Sequence, residues 1–93
     1  MEQERLQSSQ TDGQEPAGLP RLYMTSDLRA ATGLSRTHLD FYLREGLIRP
    51  AARTESGYLL FDDRELALLR RIIERRQAGA PLRQIREEIG REA

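Results

Sequence analysis

The chain has 93 residues, no cysteine and one histidine, which excludes a disulfide framework and a zinc site built from thiolates or several histidines. Its net charge is zero, yet residues 1–20 carry −3 and residues 21–93 carry +3. Every basic residue is arginine. No apolar run is long enough for a signal peptide or a membrane span. We expect a small cytoplasmic domain with no membrane partner.

The first part of the chain is polar. Residues 1–20 contain two glycines and two prolines among glutamines and acidic residues. Such a segment buries too little apolar surface to offset the entropy lost on ordering. We therefore predict a disordered tail over residues 1–20 and a folded domain over residues 21–93.

Two short helices around a glycine turn are predicted next. The first spans residues 27–31, the second spans residues 36–45, and Gly33 allows the left-handed backbone of the turn between them. The capping residues are Thr25 or Ser26 for the first helix and Ser35 for the second. Two helices joined in this way are typical of a helix-turn-helix.

A β-hairpin and two further helices complete the predicted order. The hairpin lies between residues 48 and 61, with a polar turn at residues 53–57. A long helix begins at a capping box, with Asp62 as the N-cap and Glu65 at the third helical position, and runs to about residue 77. Gly79 ends it, and Pro81 suits the first turn of the last helix. The predicted core comprises Leu39, Tyr42, Leu47, Leu66, Leu69 and Ile73.

The second helix has an outward face with mixed chemistry. At about 100° per residue, Thr37, Phe41 and Arg44 lie opposite the core, flanked by His38 and Asp40. Arginine, a hydroxyl and an aromatic ring suit a DNA major groove. A merely solvated polar face is the alternative, but a large exposed aromatic side chain favours a ligand.

Four motifs occur in order along the chain. They are TGLS at residues 32–35, HLDFYLREGLI at 38–48, GYLLF at 57–61 and GAPLRQI at 79–85. In these motifs residues 23–89 resemble the DNA-binding domain of the MerR family of bacterial regulators. The resemblance implies a mainly α, winged helix-turn-helix fold and sequence-specific binding of double-stranded DNA for transcription control. The residues themselves predict no enzyme activity, no cofactor and no metal, because cysteine is absent and His38 has no serine or cysteine partner in a recognisable arrangement. A DNA-binding protein of this kind is expected at the nucleoid.

The same resemblance implies which residues contact DNA. The second helix enters the major groove, and the hairpin grips the flanking phosphates as a wing. The implied contacts are Arg36, Thr37, His38, Phe41 and Arg44 on the helix, Arg49 after it, and Arg53 and Tyr58 on the wing.

Three departures from the family pattern leave an alternative open. Asp40 stands where the family commonly has arginine or histidine, and Leu59 stands where it commonly has a wing arginine, so we expect weaker DNA binding. The alternative function is a protein-interaction module that uses the same face.

The family continues into a long dimerisation helix and an effector domain, whereas this sequence stops at Ala93. We therefore expect either a fragment or a module that dimerises weakly or binds side by side on DNA.

Overall fold

A computed structural model describes residues 21–91, and the predicted tail at residues 1–20 lies outside this part. The described elements are β1 (Leu22–Tyr23), α1 (Thr25–Thr32), α2 (Arg36–Arg44), β2 (Ala52–Arg53), β3 (Leu59–Asp62), α3 (Asp63–Gln77) and α4 (Leu82–Ile89). The predicted winged helix-turn-helix is confirmed. Among these elements, no helix has the length and apolar character needed to cross a membrane.

The first helix begins earlier than predicted. Helix α1 starts at Thr25 and its N-cap is Met24, so the prediction of Thr25 or Ser26 as the cap was wrong. The Met24 backbone N–H donates to Asp27 Oδ2 at 2.8 Å. The aspartate thus satisfies the backbone N–H of the cap residue itself, as the third helical residue does in a capping box. The signal was present in the sequence, because Asp27 lies three residues after Met24.

The turn into α2 has the predicted chemistry. Gly33 adopts a φ of 79°, in the left-handed region that favours glycine, and its N–H donates to the Arg29 carbonyl at 2.8 Å. Ser35 Oγ accepts a hydrogen bond from the His38 N–H at 3.1 Å, which confirms Ser35 as the N-cap of α2. Both ends of the turn are therefore fixed by local hydrogen bonds.

The hairpin is part of a three-stranded antiparallel sheet with strand order β1-β3-β2. The wing, defined as β2, β3 and the turn at residues 54–58, is confirmed. Its turn is closed by the Thr54 N–H, which donates to the Tyr58 carbonyl at 2.8 Å. Strand β1 was not predicted, because two residues are too few to show a periodic pattern. It pairs Tyr23 with Phe61 and thereby attaches the chain before α1 to the base of the wing.

Helix α3 begins as predicted, but only one of the two hydrogen bonds of the predicted capping box is present. Asp62 Oδ1 accepts the Glu65 N–H at 3.1 Å, which confirms Asp62 as the N-cap. The Glu65 carboxylate does not return to Asp62 but bonds elsewhere, as described below. Pro81 is the N-cap of α4 and not part of its first turn, because the helix begins at Leu82.

The core combines one face of every helix with the base of the wing. Five of the six predicted core residues are buried, but Ile73 is only half-buried and its neighbour Ile72 is fully buried. Ile73 lies at the edge of the core near α2, beside Phe41 and Tyr42. The core residues beyond the predicted set are Leu28, Ile48, Phe61, Ile72 and Ile85.

A buried carboxylate organises the segment between α2 and β2, residues 45–51. Glu65 is 7% exposed and its Oε1 accepts the Arg49 backbone N–H at 2.7 Å. The Arg91 guanidinium donates to both of its oxygens, at 2.7 and 2.8 Å. Burial raises the pKa of Glu65, but the hydrogen bonds and positive charge of Arg91 and the Arg49 N–H outweigh it, and the pKa lies below its ordinary value.

The contrast between Leu69 and Ile73 tests the packing. Leu69→Ala should lower the free energy of unfolding by about 2–4 kcal/mol, because a fully buried side chain leaves a cavity. Ile73→Ala should lower it less, since part of Ile73 already contacts water. Chemical denaturation of both variants measures the difference, and equal losses would contradict the burial described above.

The pH dependence of stability tests the Glu65 network. Folding lowers the pKa of Glu65, so its carboxylate stabilises the fold fully above the ordinary glutamate pKa of about 4.3, and this contribution is lost as the pH falls through the folded-state pKa. Glu65→Gln should lower the free energy of unfolding by about 1.5–3 kcal/mol at pH 7 and flatten its fall between pH 5 and pH 3.

Glu88 provides the matched control, since its ion pair with Arg75 lies at the surface. Glu88→Gln should have a much smaller effect at pH 7 because water and salt screen an exposed pair. Equal losses for the two variants in urea titrations at several pH values would show that burial of Glu65 is unimportant.

Candidate nucleic-acid interface

The outward side of α2 carries a charged stripe. Arg36, Asp40 and Arg44 recur at four-residue intervals, so they follow one another along one side of the helix, and all three are exposed. Thr37 lies beside them and is exposed as well. The core contacts of α2 come from Leu39 and Tyr42 on the other side. The stripe is therefore held outward by the burial of the opposite face.

A cleft separates this stripe from the wing. Its volume is about 320 Å³, and Arg36 and Asp40 line it on the α2 side. Tyr58 and Leu59 line it on the wing side. Tyr58 is 59% exposed, so its ring and hydroxyl project from the wing beside α2. Leu59 is half-buried and packs against the core, which explains an apolar residue at this wing position.

The same cleft has a wall that the sequence did not indicate. Thr25, Ser26 and Arg29 of α1 contribute to it. Arg29 is exposed, and its Nε donates to the Leu34 carbonyl at 3.4 Å. Nothing in the spacing of α1 marks Arg29 as part of a site, because its position beside the wing depends on the packing of α1 against β1 and β3.

Phe41 and His38 lie on another side of α2, away from the wing. They line a hollow of about 430 Å³ together with Ile73 and Arg76 of α3. Phe41 is half-buried and packs against the core, so the expectation of an exposed aromatic ring was wrong. The C-terminal half of α3 lines the same hollow as the ring, and the Arg44 guanidinium carbon lies 5.9 Å from the ring centroid. His38 is exposed.

The remaining predicted residues lie on or near the wing. Arg53 is exposed in β2, where it pairs with Leu59 across the hairpin. The side chain of Arg49 is exposed, while its backbone N–H is held by Glu65. The structure thus brings Arg36 and Tyr58 to one cleft, leaves Arg49 and Arg53 at the surface around the wing, and separates His38 and Phe41 from this group.

Two arginines, one in α4 and one after it, hold the C-terminal end of α2 and the segment that follows it. Arg86 donates to the Glu45 carbonyl at 2.8 Å and to Glu45 Oε1 at 2.6 Å. Arg91 donates to the Leu47 carbonyl at 3.3 Å in addition to its bonds with Glu65. The bond from Arg86 satisfies the carbonyl of Glu45, the C-cap residue of α2, and the bond from Arg91 satisfies a carbonyl of the segment after the helix. Sequence reasoning missed both arginines because their partners lie more than 25 residues away.

The chemistry of this surface suits a polyanion with accessible base edges. Arginine side chains supply planar donors for phosphate oxygens and for guanine, and Tyr58 adds an aromatic ring with a hydroxyl. Asp40 is the acidic residue within the stripe on α2. The cationic residues at this surface are Arg29, Arg36, Arg44, Arg49 and Arg53.

Comparison with solved structures identifies a DNA-bound protein with this fold. The chain is similar to HiNmlR, described as a MerR family regulator lacking the sensor domain and crystallised bound to promoter DNA. The TM-score is 0.66 at 30% sequence identity, and the match covers 72% of this chain and 51% of HiNmlR.

Comparison with curated proteins gives relatives of the same kind. The chain is 38% identical over 56 residues to heavy metal-dependent transcription regulator 2 of Rhizobium meliloti, which covers 60% of this chain and 38% of that protein. It is 34% identical over 64 residues to the HTH-type transcriptional regulator CueR of Salmonella typhi, which covers 69% of this chain and 46% of that protein. The chain thus spans less than half the length of these two relatives.

The family match covers the whole arrangement described above. The sequence pattern of the family described as MerR HTH family regulatory protein matches residues 23–91, from β1 to the arginine that binds Glu65. This range includes the helix-turn-helix, the wing and both following helices. The chain belongs to the MerR HTH family of regulatory proteins.

Proposed function

We propose that this protein is a sequence-specific DNA-binding transcriptional regulator, with α2 in the major groove and the wing on the phosphate backbone. The observation that carries the proposal is the cleft at which Arg36 of α2 faces Tyr58 of the wing. A groove-reading helix and a backbone-contacting hairpin must lie side by side for both to reach one duplex. The similarity to a regulator bound to promoter DNA supports the same conclusion.

The contacts divide by the chemistry of each position. On the outward side of α2, Arg44 and Thr37 are placed to reach base edges, and Arg36 at the start of the helix is placed to reach a base or a phosphate. Arg53 and Tyr58 on the wing are placed to bind phosphates, which position the protein without reading sequence. Arg49, at the surface between α2 and the wing, adds a further phosphate contact.

His38 and Phe41 have a secondary role in this proposal. They lie on the side of α2 that faces α3, so they reach DNA only at the edge of the groove. The exposed part of the half-buried Phe41 ring can contact a sugar or a thymine methyl group. His38, exposed at the first turn of α2, can donate to a phosphate.

The proposal extends to partners and location. The partner is double-stranded DNA, bound by a weak homodimer or by copies side by side, and the protein acts at the nucleoid in the cytoplasm without catalysing a reaction. Operators read by two copies contain two half-sites about one helical turn apart or a multiple of it. No observed feature of the cleft favours a protein partner over DNA, and binding that is insensitive to salt would indicate a protein partner instead.

The proposed interface is tested by removing arginines from it. Arg44→Ala should weaken binding to a recovered genomic operator by about 1–3 kcal/mol, with no matching loss of stability, because the side chain is exposed. The combined Arg36→Ala, Arg44→Ala and Arg53→Ala variant should make the negative slope of log K against log salt shallower by about two to three. Fluorescence anisotropy at several salt concentrations measures both quantities.

Arg83 provides the matched control, because it is an exposed arginine on α4, outside α2 and the wing. Arg83→Ala removes the same charge and should change neither affinity nor salt slope appreciably. If the triple variant binds the operator as tightly as the parent protein, the proposed interface is wrong.

A further inference from the structure

The acidic residue in the α2 stripe has no hydrogen-bond or ion-pair partner among the described residues. Within residues 21–91, Asp40 takes part in none of the ion pairs and accepts no hydrogen bond. It is exposed, although Arg36 and Arg44 lie one turn before and one turn after it. Six other carboxylates of residues 21–91 bond within the fold, as caps, in ion pairs or to the Tyr23 hydroxyl, namely Asp27, Glu45, Asp62, Asp63, Glu65 and Glu88. Glu55, Glu74 and Glu87 are exposed without such a bond, as Asp40 is, so it is the place of Asp40 that distinguishes it.

The place of Asp40 makes this lack of a partner informative. It lies on the side of α2 that faces the wing cleft, between two arginines of the proposed DNA-contacting stripe. When the stripe enters the groove, the carboxylate approaches the bases and phosphates and loses part of its hydration. A carboxylate that loses water without gaining a hydrogen-bond donor destabilises the complex. DNA must therefore supply a donor to Asp40, or the residue only weakens binding.

The major groove contains two kinds of donor that a carboxylate can use. These are the exocyclic amino groups of adenine, N6, and of cytosine, N4. Adenine N6 lies between two acceptors, N7 of its own ring and O4 of the paired thymine, and both repel the second carboxylate oxygen. Cytosine N4 has an acceptor on one side only, guanine O6, and on its other side lies the apolar C5–H edge. A carboxylate therefore favours cytosine.

We propose that Asp40 is a specificity-determining residue that accepts a hydrogen bond from N4 of one cytosine in each half-site. This inference rests on the proposed function, since it requires α2 to lie in the major groove. Asp40 then has two opposite effects on binding. Its charge lowers the affinity for any DNA because it repels phosphates, and its hydrogen bond restores affinity at a site that offers the cytosine amino group. The residue thus separates specific from non-specific DNA.

The experiment compares the parent protein with Asp40→Ala and with the control Glu87→Ala. Glu87 is an exposed carboxylate on α4, outside the interface, so both variants remove one negative charge. Duplexes selected from a random library by the parent protein define the operator, and each cytosine of the operator is then replaced by thymine, with adenine opposite. Binding is measured by anisotropy, and thermal melting verifies that both variants fold.

We expect one cytosine position at which replacement weakens the parent protein and Glu87→Ala about tenfold, within the usual range for one mismatched base pair. Asp40→Ala should lose this discrimination at that position alone, and it should bind duplexes lacking the cytosine more tightly than the parent does. Discrimination that persists unchanged at every cytosine in Asp40→Ala overturns the inference while leaving the proposed function intact.

Base analogues separate reading of the cytosine from reading of its paired guanine. N4-methylcytosine at the identified position keeps the base pair but replaces the free amino hydrogen, so it should weaken the parent protein and not Asp40→Ala. 7-Deazaguanine opposite it removes an acceptor for arginine and should leave the effect of Asp40→Ala unchanged. If only the guanine analogue matters, Asp40 acts through Arg36 or Arg44 and the inference is wrong. If the parent protein binds no duplex, the proposed function fails together with the inference.

Discussion

Glu65 is the buried charged residue of the described chain, and the geometry of the outward surface depends on it. A buried carboxylate is tolerated only when donors satisfy its oxygens, and here the donors come from Arg91 and from the backbone at Arg49. The segment after α2 is thereby attached to α3. Arg86 attaches the end of α2 to α4 in the same way. The C-terminal end of α2 and the segment that leads to the wing are consequently held against α3 and α4.

Local chemistry made most of the fold predictable, and contacts between distant residues account for what was missed. Ser35, Gly33 and Asp62 act within three or four residues of themselves, so their roles as caps and turn residues could be read directly from the sequence. The partners of Glu65 could not, since one lies 16 residues before it and the other 26 after it. The capping-box pattern predicted the correct start of α3, but it predicted the wrong hydrogen-bond partner for the Glu65 carboxylate.

The candidate site shows the same division. Helical phase correctly placed Arg44 and Thr37 outward, because the buried face of α2 is defined by its own residues. It overestimated the exposure of Phe41, because the ring packs against the core on the side of α2 near α3. No local sequence pattern predicts this contact. A net charge of zero was similarly uninformative. Carboxylates that serve as caps or ion-pair partners are held within the fold, while the arginines of α2 and the wing remain at the surface.

The pairing of β1 with β3 has a consequence for folding cooperativity. Tyr23 pairs with Phe61 and its hydroxyl donates to Asp63 at 2.6 Å, 40 residues along the chain. This contact closes a loop that contains α1, α2 and the wing turn. The chain must lose the entropy of closing this loop before the sheet can contribute stability. Because α1, α2 and the wing turn lie within one closed loop, we expect them to unfold together rather than one at a time. We expect their protected amide hydrogens to exchange with one common opening free energy.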